Sequence, residues 1–253
     1  MFAGKAGPGG RVRVKICGIT NEADALAAIK ADTDALGFNL VRQSKRYIDI
    51  QAAAGWIDKL PKEICKVAVL VNPSWDEAFR ISQLSFIDAL QLHGNESPKF
   101  CRRLAEAGIR FAKALPVEDS KSLLDVPAFS TDTIILDSAS GREFGGTGKV
   151  FQWNLARQFV ETRPNLNVIL AGGLNPENIA EAVRDVRPAG VDVSSGVEIS
   201  SRCCRLLHRH VDFGYRFGRR IWRNRKSISM DICAAIRPKK SKFEGDSSRW
   251  VES

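Results

Sequence analysis

Along this 253-residue chain the apolar and polar positions fall into a repeated beat: a short apolar run, a turn, an amphipathic stretch, another turn. The first run is RVRVKIC at residues 11–17, where β-branched and basic residues alternate before Ile16 and Cys17. A period of two predicts a strand, and Gly18 followed by Asn21 predicts a βα turn into a capped helix over 22–30. Apolar runs at 35–40, 66–71, 89–92, 110–114, 133–136, 168–170 and 190–193 predict seven more strands. KVAVLV at 66–71 has the near-continuous apolar character of a strand buried on both faces.

Helical stretches alternate with these strands. Asp49 caps a helix over 50–60 that Pro61 stops, and Asn72, Pro73 and Ser74 open one over 75–84. Ser97 and Pro98 start a helix running to Ala107, with Gly108 as its stop. A short helix is predicted at 120–124, a longer one at 153–161, and another opening at Asn175 and Pro176. Between residues 138 and 151 lies a long loop, SASGREFGGTGKVF, of the length that functional lids have. Eight strands with helical partners, at a period of roughly 25 residues, predict an α/β fold: a (β/α)8 TIM barrel over 11–198. A doubly wound sheet is the alternative.

Composition changes this picture in three ways. With 44% hydrophobic residues the chain can bury a core of barrel size, and no apolar run reaches the ~18 residues of a membrane-spanning helix. The Gly-rich lead at 1–10, MFAGKAGPGG, lacks the apolar centre of a secretory signal. Six cysteines at 17, 65, 101, 203, 204 and 233 include no CxxC pair, which suggests reduced thiols in a cytoplasm. Third, residues 1–198 carry 24 basic and 24 acidic residues, whereas residues 199–253 carry 14 and 5, so the whole net charge of +9 sits in the tail. The neutral body has no nucleic-acid signature of its own.

In a parallel barrel the carboxyl ends of the strands build the active site, so residues there are the candidates. Cys17 ends strand one and Asp137 ends strand six; an acid and a thiol across a pocket can divide proton transfer between them, the thiolate acting as base. Taken singly, Cys17 also reads as a buried core thiol and Asp137 as a cap for the next turn. A base at Cys17 requires surroundings that lower its pKa. Arg46, in the loop after strand two, can grip a planar carboxylate with its guanidinium fork or lie solvated. Small residues after strands seven and eight, Gly172 and Gly173, then Ser194, Ser195 and Gly196, suit a phosphate cradle, or else simple tight turns.

Six motifs occur in order: VKICGIT, GFxxxxxSKRYI, QLHGNE, LDS with GGTGKVFQW, LAGGLNPENI and GVDVSSGVE. Together they resemble the phosphoribosylanthranilate isomerase family of tryptophan biosynthesis. The resemblance implies an Amadori rearrangement without cofactor or metal, converting N-(5-phosphoribosyl)anthranilate to 1-(2-carboxyphenylamino)-1-deoxyribulose 5-phosphate. It implies Asp137 as general acid on the ribose ring oxygen and Cys17 as the base that removes the C2 proton. Arg46 would hold the anthranilate carboxylate, and Gly172, Gly173, Ser195 and Gly196 the phosphate. Gln91 and His93 match a family motif too, with a structural role at the barrel mouth equally open. One histidine before residue 199 leaves the body short of the ligands a metal-dependent pentose-phosphate epimerase needs. The resemblance implies a small phosphorylated substrate and leaves monomer and homodimer both open.

The resemblance stops after Glu198. Residues 199–253 show no clean 3.6-residue stripe where the family's last helix belongs, and their Arg, Cys and Ser content suggests a different origin from the body. A frameshifted end, with a catalytically impaired barrel, is one expectation. A basic appendage that binds nucleic acid, with Tyr215, Trp222 and Trp250 for stacking, is the weaker rival.

Overall fold

The computed structural model describes residues 11–117, 123, 129–137, 153–200 and 203–204. Eight parallel strands close into a barrel in sequence order: β1 (Arg13–Cys17), β2 (Ala35–Asn39), β3 (Cys65–Leu70), β4 (Ala89–Leu92), β5 (Phe111–Pro116), β6 (Thr133–Asp137), β7 (Asn167–Ala171) and β8 (Gly190–Val193). Closure is made by β1 pairing with β8, Lys15 opposite Asp192, while Cys17 stands opposite Gly37 on β2. The helices are α1 (Glu22–Lys30), α2 (Ile50–Ile57), α3 (Trp75–Ser82), α4 (Pro98–Glu106), α5 (Trp153–Thr162) and α6 (Ile179–Val186). The (β/α)8 barrel expected from the apolar pattern is therefore the fold.

Period-two alternation sorts each strand into two layers. Outward residues such as Ile16, Leu36, Leu90, Leu92, Ile134, Leu136, Val168 and Leu170 join the helices in one large apolar shell. Inward positions form a smaller cluster of Ala35, Val67, Ala112, Ala114, Ile135, Ile169 and Ala171. The inner cluster is rich in alanine, so side chains fill the barrel's axis with space left for larger polar groups near its mouth.

Caps explain most helix starts. The side chains of Asn21, Asp49, Ser74 and Ser97 each accept from backbone amides of the first turn. Such caps satisfy amides that have no intrahelical partner. The largest differences from the sequence reading fall at two helix boundaries. The second helix ends at Ile57 rather than at 60, because Lys59 and Leu60 donate to Trp56 and Ile57 in tight three-residue turns. The helix expected to open at Asn175 starts at Ile179. Asn175 Oδ1 instead accepts from the amides of Glu177 and Asn178, and Asn178 Oδ1 accepts from Asn175, which makes a separate turn.

After β8 a 3-10 turn, Ser195–Val197, leads into β9 (Glu198–Ser200), paired antiparallel with β10 (Cys203–Cys204). The lead at 1–10, the loop at 138–151, the tail beyond 204 and, apart from buried Leu123, the short helix expected at 120–124 lie outside the described residues.

Candidate active site

Cys17 is the last residue of β1 and half-buried at the carboxyl end of the barrel. Lys15, two residues earlier on the same inward face, is fully buried and donates to Asp192 Oδ2 at 2.8 Å. Both reach into the space above Gly37: a Cβ built there would stand 2.7 Å from Cys17 Sγ and 2.9 Å from Lys15 Nζ. Glycine at this point of β2 is what leaves room for thiol and ammonium together. Burial pushes the Cys17 thiol above the ordinary cysteine range, while the positive charges of Lys15 and Arg46 oppose that rise. The cations that a base at Cys17 needs are thus in place, but desolvation outweighs them. Burial pulls Lys15 down, yet Asp192 and Cys17 more than offset it and hold its pKa above that of an ordinary lysine. The Asp192 carboxyl is pushed up by burial, against the pull of Lys15.

Asp137 ends β6, paired with Pro116 and Ala171 on its neighbours. Its Oδ2 lies 3.0 Å from Nε2 of His93, the first residue after β4, and Gln91 Nε2 stands 3.2 Å from His93 Nδ1. Gln91 points inward from β4 and its side-chain amide shares a hydrogen bond with Nδ1, leaving Nε2 on the side of the carboxylate. The 93–96 segment is clamped beneath: buried Glu96 accepts from the amides of Asn72 and Gly94 and pairs with buried Lys113 at 2.9 Å. Gln91 and His93 therefore form a chain that orients Asp137.

Arg46 comes from the loop after β2, its stem lying against Gly18, where a Cβ would stand only 2.4 Å from Cδ. Gly18 also has φ +91, so it serves both the turn and the close approach. The guanidinium Nε and Nη2 donate to Glu198 Oε1 and Oε2 at 2.5 and 2.7 Å. Arg46 thus brings its charge to Cys17, with its fork on a carboxylate of its own chain.

Gly172 and Gly173, at φ +81 and +63, turn the chain sharply after β7. Gly196 presses against that loop: its Cβ would lie 1.9 Å from Leu174 O and 3.0 Å from Asn175 Cα. The two small-residue loops are consequently in van der Waals contact, bringing Ser195 and Gly196 to the β7 turn.

The sequence reading missed Lys15, Asp192 and Glu198. Alternation carried the signal for the first: if Cys17 faces inward, so must Lys15, and a lysine inside a barrel needs a partner. Asp192, the acid within β8, was the matching mark.

Residues 14–201 match the family described as N-(5'phosphoribosyl)anthranilate (PRA) isomerase. The N-(5'-phosphoribosyl)anthranilate isomerase of Trichlorobacter lovleyi is 42% identical over 187 residues, covering 74% of this chain and 89% of the relative. That of Hahella chejuensis is 44% identical over 210 residues, covering 81% and 95%. The crystal structure of phosphoribosyl anthranilate isomerase from Thermotoga maritima superimposes with a TM-score of 0.70 at 38% identity, covering 77% of this chain and 94% of that one. A structure of the isomerase in complex with reduced 1-(o-carboxyphenylamino)-1-deoxyribulose 5-phosphate matches with a TM-score of 0.66 at 35% identity, covering 77% and 93%. A closed barrel, a thiol and a carboxylate at its mouth, and this degree of likeness lead to one conclusion: the chain belongs to the N-(5'-phosphoribosyl)anthranilate isomerase family.

Proposed function

We propose that this chain isomerises N-(5'-phosphoribosyl)anthranilate to 1-(o-carboxyphenylamino)-1-deoxyribulose 5-phosphate, with Asp137 as acid and Cys17 as base. The observation that carries this reading is the placement of both groups on the inward faces of β1 and β6 at the carboxyl end of one barrel. Asp137 gives a proton to the ribose ring oxygen as the C1–O bond breaks, leaving a C1 iminium on the anthranilate nitrogen. Cys17 then takes the C2 proton. The C2–H electron pair becomes the C1=C2 bond, neutralises the iminium, and gives an enolamine that tautomerises to the ketose.

Placement matters more than strength in such a pair, since each group need only reach its own atom. The Gln91–His93 chain holds Asp137 at one orientation. Arg46, beside Cys17 and braced by Glu198, is suited to the anthranilate carboxylate, which would share or displace the Glu198 contact. Gly172, Gly173, Ser195 and Gly196 supply two adjoining small-residue loops where the phosphate would sit; a relative's complex with a phosphorylated product analogue supports that class of ligand. The described residues contain no helix long and apolar enough to span a membrane. The free thiols of Cys17, Cys65 and Cys101 suit a reducing compartment, and we place the enzyme in the cytoplasm on that ground. The test is steady-state fluorescence with freshly made phosphoribosylanthranilate. Turnover by the full chain supports the proposal, and a folded chain that leaves the substrate unchanged refutes it.

A further inference from the structure

We propose that Lys15 is a positioning residue for Cys17: its buried ammonium, anchored by Asp192, offsets the burial that disfavours the thiolate form proton abstraction at C2 requires. This rests on the reading of Cys17 as base. Burying a lysine in a barrel interior whose apolar cluster is alanine, valine and isoleucine is costly, and an apolar pair would fill the volume of Lys15 and Asp192 as well or better. Packing alone therefore does not explain the charge. Its position does: period-two alternation puts Lys15 on the Cys17 face of β1, and the missing side chain of Gly37 opens one small space that both Sγ and Nζ border.

The surrounding charges make Lys15 the cation best placed to act on the thiol. Arg46 also faces Cys17, but both oxygens of Glu198 grip its guanidinium. Lys15 is countered by a single oxygen, Asp192 Oδ2, while buried Oδ1 has no hydrogen-bond partner among the described residues. The charge of Asp192 also reaches Cys17, and those of Asp137 and His93 reach Asp192. At sulfur the Lys15 ammonium acts more strongly than the Asp192 carboxylate. When the thiolate takes the C2 proton, an S–H bond forms, the C2–H bond breaks and its electron pair passes into C1=C2. The positive charge next to sulfur is then no longer balanced by it, so Lys15 acts on how readily the thiolate is regenerated.

The experiment compares Lys15→Met with Lys15→Met/Asp192→Leu, the second removing the carboxylate that the first would strand. Alkylation of Cys17 by iodoacetamide is followed against pH by mass spectrometry of the Cys17 peptide, beside the pH profile of turnover. The inference predicts that Cys17 titrates about one unit higher or more in any folded variant lacking Lys15, so alkylation at pH 8 slows roughly tenfold. It predicts a matching fall in kcat, with KM within about twofold. An unchanged thiol titration in the double variant, or kcat restored by it to the wild-type value, overturns the proposal and leaves the ion pair a structural one. Full turnover by Cys17→Ala would instead remove the base assignment, and the alkylation profile would still report whether Lys15 sets the thiol.

Discussion

Gly196→Ala offers a sharp test of how the two phosphate loops are built. The added methyl would sit 1.9 Å from the carbonyl oxygen of Leu174 and 3.0 Å from Asn175 Cα, both backbone atoms that cannot swing aside as a side chain could. Relief requires the 3-10 turn and the β7 loop to separate by more than an ångström. Overpacking of this kind costs about 1–3 kcal/mol. If the loops jointly cradle the phosphate, a loss of about 2 kcal/mol in binding raises KM roughly thirtyfold, while kcat falls far less. Denaturant unfolding gives the stability change and steady-state turnover gives KM. Lost stability with an unchanged KM would show that the loops touch but that the phosphate binds elsewhere. Unchanged stability and KM would refute the contact itself.

Other expectations follow from neighbouring features. Gly55, in the interior of α2, has open space around a built Cβ, so Gly55→Ala is expected to stabilise the fold by about 0.5–1 kcal/mol, read from the denaturation midpoint. Asn21→Ala removes the bond that Asn21 Oδ1 accepts from Asp24 N at 2.9 Å and is expected to cost about 1 kcal/mol on the same measurement. Burial raises the thiol pKa of Cys17 and Cys65, and that of Cys101 to about 11. The unfolded thiols ionise first as pH rises, so stability is full below the ordinary cysteine range and declines on passing through it; denaturant midpoints at pH 7.5 and 9.5 should show the drop, smaller in Cys101→Ala. Glu198→Gln keeps the shape beside Arg46 but loses the charge that braces it, and KM should rise about fivefold; an unchanged KM would mean that Glu198 does not position Arg46.

Much of this was legible in the chain because local rules suffice for it. Asn21, Asp49, Ser74 and Ser97 cap the helices they precede, and Cys17 and Asp137 end strands whose apolar runs were plain. What the sequence hid depends on closure. Lys15 and Asp192 are 177 residues apart and meet only because β8 returns beside β1; Arg46 and Glu198 are separated by 152. The His93–Asp137 contact likewise joins two strand ends whose alignment no local pattern gives. At Asn175 local reasoning failed because the same Asn-Pro signal that opens a helix also makes a free-standing turn, and here Asn178 completes the turn.

The central claim is that one acid and one base at this barrel mouth perform the rearrangement, and single-turnover conversion of phosphoribosylanthranilate by the full chain, Cys17→Ala and Asp137→Ala tests it most directly. The account predicts rapid conversion by the parent chain and losses of about a hundredfold to ten-thousandfold in each folded variant, with substrate still bound. Conversion by either variant at the parent rate would contradict it.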